Sequence, residues 1–97
     1  MPAVDPRAVE VELLGVARLL ARRDTICLPL AGPLPLARFL RLLALELPAL
    51  VGTALTEEGA LLGGHVLSRN GADLLRDPSE SIHPGDCLLL LSTSAGG

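Results

Sequence analysis

Four side chains in this sequence are histidines or cysteines, residue types that bind transition metals and take part in nucleophilic catalysis. They are Cys27, His65, His83 and Cys87. A metal site needs three or four such ligands at suitable spacing, and these four are scattered along 97 residues. We interpret both histidines as surface loop residues and both cysteines as small strand residues. Two cysteines are too few for a disulfide scaffold, which favours a reducing compartment.

The remaining polar residues do not form a recognisable enzyme motif. The serines lack a nucleophile signature such as G-x-S-x-G. The segment GALLGG at 59–64 lacks the Gly-Lys-Ser/Thr ending of a phosphate-binding loop. Glu57 and Glu58 are adjacent, so their carboxylates diverge in most backbones. We therefore expect no metal, no bound cofactor and no enzymatic activity of the chain itself.

The C-terminal carboxylate is the main-chain group that could react. It follows six small residues, namely Ser92, Thr93, Ser94, Ala95, Gly96 and Gly97. A carboxylate becomes electrophilic once it is activated, for instance as an acyl-adenylate, and a terminal glycine has no Cβ to block attack. If the ending is not a chance occurrence, Gly97, preceded by Gly96, would be the activated end. The residues expected to thread into a partner's cleft are Thr93, Ser94 and Ala95.

Composition disfavours two classes of partner. All eight cations are arginines, the net charge is −3, and no basic patch stands out, which argues against nucleic-acid binding. With one aromatic residue the chain cannot stack bases. No apolar run approaches the length of a membrane span, and the start MPAVDPRAVEVE is too acidic and proline-broken for a signal peptide. We expect a cytoplasmic protein that contacts neither nucleic acid nor membrane.

Hydrophobic periodicity predicts the first half of the fold. Alternating apolar residues favour strands over 8–14 and 25–30, with a loop over 15–24 between them. Pro29 has no N–H to donate, so the second strand is expected at a sheet edge. Leucines at helical spacing predict one helix over 34–47. The stripe expected to face the core consists of Leu36, Leu40, Leu43 and Leu47.

The second half reads as short strands. A strand over 65–69 turns at Asn70-Gly71 and returns. A loop with a tight turn at HPGD (83–86) follows over 76–86, and the last strand covers 87–91. If the first strand lies between those of Cys27 and Cys87, the two cysteines are about 9–10 Å apart, too far for a disulfide.

The predicted elements give the fold class and the domain division. We expect an α+β fold with a mixed sheet of four to five strands and one main helix on one face. The domain would span 8–91, after a disordered lead-in at 1–7 and before a flexible tail at 92–97.

The order of these segments resembles the MoaD/ThiS family of ubiquitin-like (β-grasp) sulfur carrier proteins, from about Val9 to Gly97. The motifs that carry the resemblance are VEVELLGVARLL (9–20), PLARFLRLLALELPAL (35–50), Asn70-Gly71, PGD (84–86) and the ending CLLLL…AGG. The resemblance implies a β-grasp sheet whose first and last strands are parallel at its centre. It also implies that Leu88 and Leu90 face the helix.

The function implied by the resemblance is sulfur transfer. An ATP-using, ubiquitin-activating-type adenylyltransferase would adenylate Gly97, and a sulfur donor would convert the adenylate into a thiocarboxylate for a sulfur-accepting synthase. Ser92-Thr93 stand where the molybdopterin branch often has Pro-Pro, which leaves the acceptor open. One alternative is a ubiquitin-like modifier joined through Gly97 to lysines of a target protein. Another is an interaction domain whose two glycines are accidental.

The open face of such a sheet would carry the docking surface. Leu89 and Leu91 are expected to face outward, beside Leu14 if the first and last strands pair, and Leu74 extends the group. Three exposed leucines beside the tail would form an apolar patch of the kind that marks a binding site. The alternatives are a merely apolar face or a dimer contact.

Overall fold

The computed structural model describes residues 7–93. The elements in chain order are β1 (Ala8–Leu13), α1 (Val16–Ala21), β2 (Thr25–Pro29), β3 (Leu34–Pro35), α2 (Leu36–Glu46), a 3₁₀ turn (Pro48–Leu50), β4 (His65–Arg69), β5 (Asp73–Leu75), β6 (Ser81–Ile82) and β7 (Cys87–Ser92). None of the helices in this part of the chain has the length and apolarity needed to span a bilayer.

The main sheet has five strands in the order β2-β1-β7-β4-β5. The first and last strands pair in parallel, and the other neighbours are antiparallel. With α2 on one face, this is the α+β, ubiquitin-like β-grasp fold that the sequence predicts, and the fold class is confirmed. The strand with Pro29 lies at the sheet edge, as its missing N–H requires.

The core lies between the sheet and α2. In β1 the side chains of Val9, Val11 and Leu13 are fully buried, while Glu10 and Glu12 between them are exposed. All four leucines of the predicted helix stripe are buried, together with Phe39. The hydrophobic pattern therefore assigned the buried face of both elements correctly.

Helix α2 begins at Leu36, two residues later than predicted. Leu34 and Pro35 instead pair with Ser81 and Ile82 as a second, two-stranded sheet, which the predicted loop over 76–86 did not include. The backbone N–H of Leu36 donates to the Glu80 carbonyl at 2.7 Å. Since no side chain caps this helix, the neighbouring segment satisfies donors of its first turn.

The predicted loop over 15–24 is wrong, because Val16–Ala21 forms the short helix α1. Ala17 is fully buried, and Leu20 and Ala21 pack against the core. Six residues are too few to show a helical period or to be stable alone. This helix is therefore held by tertiary burial.

Two predicted turns are present. Asn70 and Gly71 have φ of 53° and 73°, and the Ala72 N–H donates to the Arg69 carbonyl at 3.0 Å. This is the positive-φ turn that an Asn-Gly pair favours. In the segment before β7, the Asp86 N–H donates to the His83 carbonyl at 3.0 Å, which closes the predicted HPGD turn.

Candidate functional site

The last described residues leave the sheet from its central strand. β7 extends to Ser92 and lies between β1 and β4. The Thr93 N–H donates to the Gly64 carbonyl at 2.6 Å, and the Leu14 N–H donates to the Leu90 carbonyl at 3.0 Å. We call Ser92 and Thr93 the tail root. It is held against its neighbours by backbone hydrogen bonds.

The remaining predicted tail residues lie outside the described residues. They are Ser94, Ala95, Gly96 and Gly97. Residues 1–6 of the predicted lead-in also lie outside them. Thr93 is described and exposed. The fold therefore positions the tail root, and the activated end stays a prediction.

Alternate residues of β7 face opposite sides of the sheet, as predicted. Leu88 and Leu90 are buried in the core, and Leu89 and Leu91 lie on the outer face. In the cross-strand register Leu89 is opposite Glu12 on one side and Ser68 on the other, and Ser68 is in turn opposite Leu74. Leu89 and Leu74 therefore belong to one row across the outer face.

A second row lies one step closer to the tail root. Leu91 is opposite Val66 of β4. On the other side Leu14 continues the register of β1, because its N–H donates to the Leu90 carbonyl. We call Leu14, Leu74, Leu89 and Leu91 the outer-face patch. Val66 also lies there and was missed, since its outward position follows only from the register.

The outer-face patch is less exposed than predicted. Leu14, Leu89 and Leu91 are half-buried, and Leu74 alone is classed as exposed, at 46%. The reason is their position, since side chains on a central strand are flanked by those of both neighbouring strands. Even Ser68, between Leu89 and Leu74, is only 7% exposed. The outer-face patch is therefore a partly buried apolar surface.

Both cysteines are exposed and free. Glu10 lies opposite Cys27 on one side and Cys87 on the other. β1 thus lies between the two cysteine-bearing strands, as the spacing argument assumed. Two strand spacings exceed the reach of a disulfide.

The two histidines differ. His83 is exposed in its turn, as predicted, but His65 lies in β4 and is half-buried. Both ring nitrogens of His65 are buried and form no hydrogen bond, and the ring lines a cavity of about 400 Å³ between α2 and the β4–β5 hairpin. The interpretation of His65 as a surface loop residue is therefore wrong. Among residues 7–93 no group of three or more metal-binding side chains comes together.

Comparison with known proteins gives structural neighbours only. No protein-family model matches the chain, and no curated protein matches it. SAMP1 from Haloferax volcanii superposes with a TM-score of 0.78 at 24% identity, covering 93% of this chain and 99% of that one.

Two further solved structures agree in fold. The H. volcanii small archaeal modifier protein 1 superposes with a TM-score of 0.73 at 24% identity, over 88% of this chain and 95% of the other. Urm1 from Trypanosoma brucei superposes with a TM-score of 0.64 at 20% identity, over 98% of this chain and 100% of the other. At these identities the likeness concerns the fold, and this chain shares the ubiquitin-like β-grasp fold.

Proposed function

We propose that this chain is a ubiquitin-like sulfur carrier of the cytoplasm, activated at Gly97. One observation carries the proposal. On a ubiquitin-like fold, the central strand β7 leads directly into a sequence that ends in two glycines, and the outer-face patch lies beside the point of exit. The combination offers a thin reactive end and a surface to which an enzyme can dock.

The proposed chemistry has two steps. An adenylyltransferase of the ubiquitin-activating type binds ATP, and the Gly97 carboxylate attacks the α-phosphate, releasing pyrophosphate and leaving an acyl-adenylate. A sulfide equivalent from a sulfur donor then displaces AMP and gives the thiocarboxylate. Glycine suits both steps because no side chain hinders attack at the carbonyl. The sulfur would pass to a synthase of molybdopterin, thiamine, cysteine or tRNA thiolation.

The outer-face patch is proposed to dock the adenylyltransferase. Leu89 and Leu91 project from the strand that carries the tail, so an enzyme bound there is within reach of Gly97. Their half-buried state favours this role, since rotamers fixed by neighbouring strands lose little entropy on binding. Leu74 and Leu14 extend the same surface at its two sides.

A modifier attached to target lysines is the second candidate. It is favoured by the name of one structural neighbour, the small archaeal modifier protein 1. Both candidates share activation of Gly97 and differ in the group that receives it. The 97 residues contain no lysine, so self-linkage through a lysine amine is excluded for this chain, whereas lysines of other proteins remain available.

Mass spectrometry of the protein isolated from its own cells separates the two candidates. A carrier is expected to show a C-terminal peptide in which one oxygen is replaced by sulfur. A modifier is expected to show Gly97 in amide linkage to a lysine of another protein. An unmodified C-terminus, together with no ATP–pyrophosphate exchange by any adenylating enzyme of the same cells, would contradict both.

A further inference from the structure

Helix α1 starts at the tail root and carries positive charge along its length and directly after its end. Three of the chain's eight arginines, Arg18, Arg22 and Arg23, lie on α1 or directly after it, with Asp24 as their acidic neighbour. We call these three arginines the α1 basic surface. No basic patch was expected from the sequence, but the structure brings these side chains to one shallow depression, on a chain whose net charge is −3.

The three arginines are not equivalent. The Arg18 Nε lies 2.8 Å from Asp24 Oδ1, so this cation is paired. The Arg23 Nε donates to the Thr25 carbonyl at 3.1 Å, which anchors the side chain and keeps its charge. Arg22 forms no side-chain hydrogen bond or ion pair within residues 7–93. The positive charge open to a partner is therefore that of Arg22 and Arg23.

The backbone of Arg22 gives a second, independent observation. This residue ends α1 with φ 60° and ψ 36°, in the left-handed region, while its N–H donates to the Arg18 carbonyl at 2.9 Å. Glycine is the residue that favours this conformation at a helix end. An arginine there is a poorer choice for the backbone, which indicates a role for its side chain.

The α1 basic surface is continuous with the proposed docking surface. A Cβ added to Gly15, the residue before α1, would lie 3.7 Å from the Ser92 Cβ, so α1 starts at the tail root. Leu14 of the outer-face patch directly precedes Gly15. Leu19 is 76% exposed on α1 and lines a shallow depression together with Arg22 and Arg23.

We propose that Arg22 and Arg23 bind an acidic surface of the adenylyltransferase, next to the cleft that receives the tail. The inference rests on the proposed function and specifies the electrostatics of its partner. On a chain of net charge −3, such a local positive surface orients the encounter, and the acidic remainder disfavours other poses.

The test is ATP–pyrophosphate exchange catalysed by the ubiquitin-activating-type enzyme encoded in the same genome. In low salt, R22E/R23E is expected to raise the KM for the carrier about tenfold while kcat changes little. The difference should shrink as salt screens the charges. The control R38E/R41E makes the same charge change on α2, which covers the other face of the sheet, and should leave KM within about twofold.

R22G removes the charge at the same position, and glycine adopts the left-handed backbone conformation of this residue more readily than arginine. Its melting temperature is expected to equal or exceed that of the wild type, while its KM rises. A purely structural role of Arg22 would move both quantities together. Equal KM values for R22E/R23E and R38E/R41E would overturn the inference and leave the proposed function standing. Lack of exchange with the wild-type chain would contradict the proposed function itself.

Discussion

The two faces of the sheet place the same residue type in different environments. Along β7, Leu88 and Leu90 are buried beneath α2, while Leu89 and Leu91 lie half-buried on the outer face. Both pairs belong to one strand and differ only in the side to which they point. The comparison teaches that, in this small fold, adjacent positions of one strand can separate core stability from the proposed docking role.

The largest expected effect is on the covered face. L90A should lower the free energy of unfolding by about 2–5 kcal/mol, because it leaves a cavity at a fully buried position. L89A should cost about 1 kcal/mol, since Leu89 is already partly hydrated. Urea unfolding measures both. Equal losses of unfolding free energy would show that the two faces of the sheet contribute equally to the stability of the protein.

The next effect concerns recognition on the outer face. L89D/L91D should lower kcat/KM for adenylation by more than about 100-fold, because two central contacts would be replaced by charges. The control L42D/L45D places the same change on the exposed side of α2 and should adenylate normally. Circular dichroism checks the fold of both. Normal adenylation of a folded L89D/L91D would remove the outer-face patch from the proposal.

A smaller effect on stability is expected at Gly59, which packs against α2. Gly59 has φ +95°, and a Cβ there would overlap the Ala37 carbonyl oxygen of α2. G59A should therefore destabilise the protein by about 1–3 kcal/mol. Gly63 has no atom near the position of its Cβ, and G63A should stay within about 0.5 kcal/mol. Thermal unfolding compares the two variants. An unchanged melting temperature of G59A would show that the backbone at Gly59 is not in close contact with α2.

The smallest expected effect is a pH dependence of stability that arises in the segment between β5 and β6. Hydrogen bonds from the Ser79 backbone N–H and hydroxyl hold the pKa of Asp77 below its ordinary value of 3.8. A lowered folded-state pKa stabilises the protein above the unfolded pKa, and this stability is lost as the pH falls through the folded value. D77A should thus melt slightly below the wild type at neutral pH and converge with it in acid. A difference in melting temperature that persists at the lowest pH would show that ionisation of this carboxylate is not its cause.

Most of the sheet could be predicted because its strands carry their own signal. Alternation in β1 and β2, the proline at the edge and the Asn-Gly turn are local features, and each was found where expected. The helix stripe was also correct, since 11 residues contain three full turns. The outward direction of Leu89 and Leu91 followed from the family resemblance and strand alternation.

The misses share a physical cause. α1, with six residues, and the β3–β6 pair, with two residues in each strand, are too short to show a period. They exist because the rest of the fold buries Ala17 and brings Leu34 to Ile82. The half-burial of the outer-face leucines also depends on tertiary structure, because side chains of β1 and β4 flank those of β7.

The sequence by itself determined which side of each long element is apolar and where the chain turns, because these depend on neighbours along the chain. It also contains the Gly96-Gly97 ending on which the proposed chemistry depends. The central position of β7, which the family resemblance implied but local periodicity did not, puts Leu14, Leu74, Leu89 and Leu91 on one surface. The tertiary structure alone decided that Arg22 and Arg23 lie at the same end of the sheet as the tail root. Those facts depend on pairings between distant segments, which local periodicity does not encode.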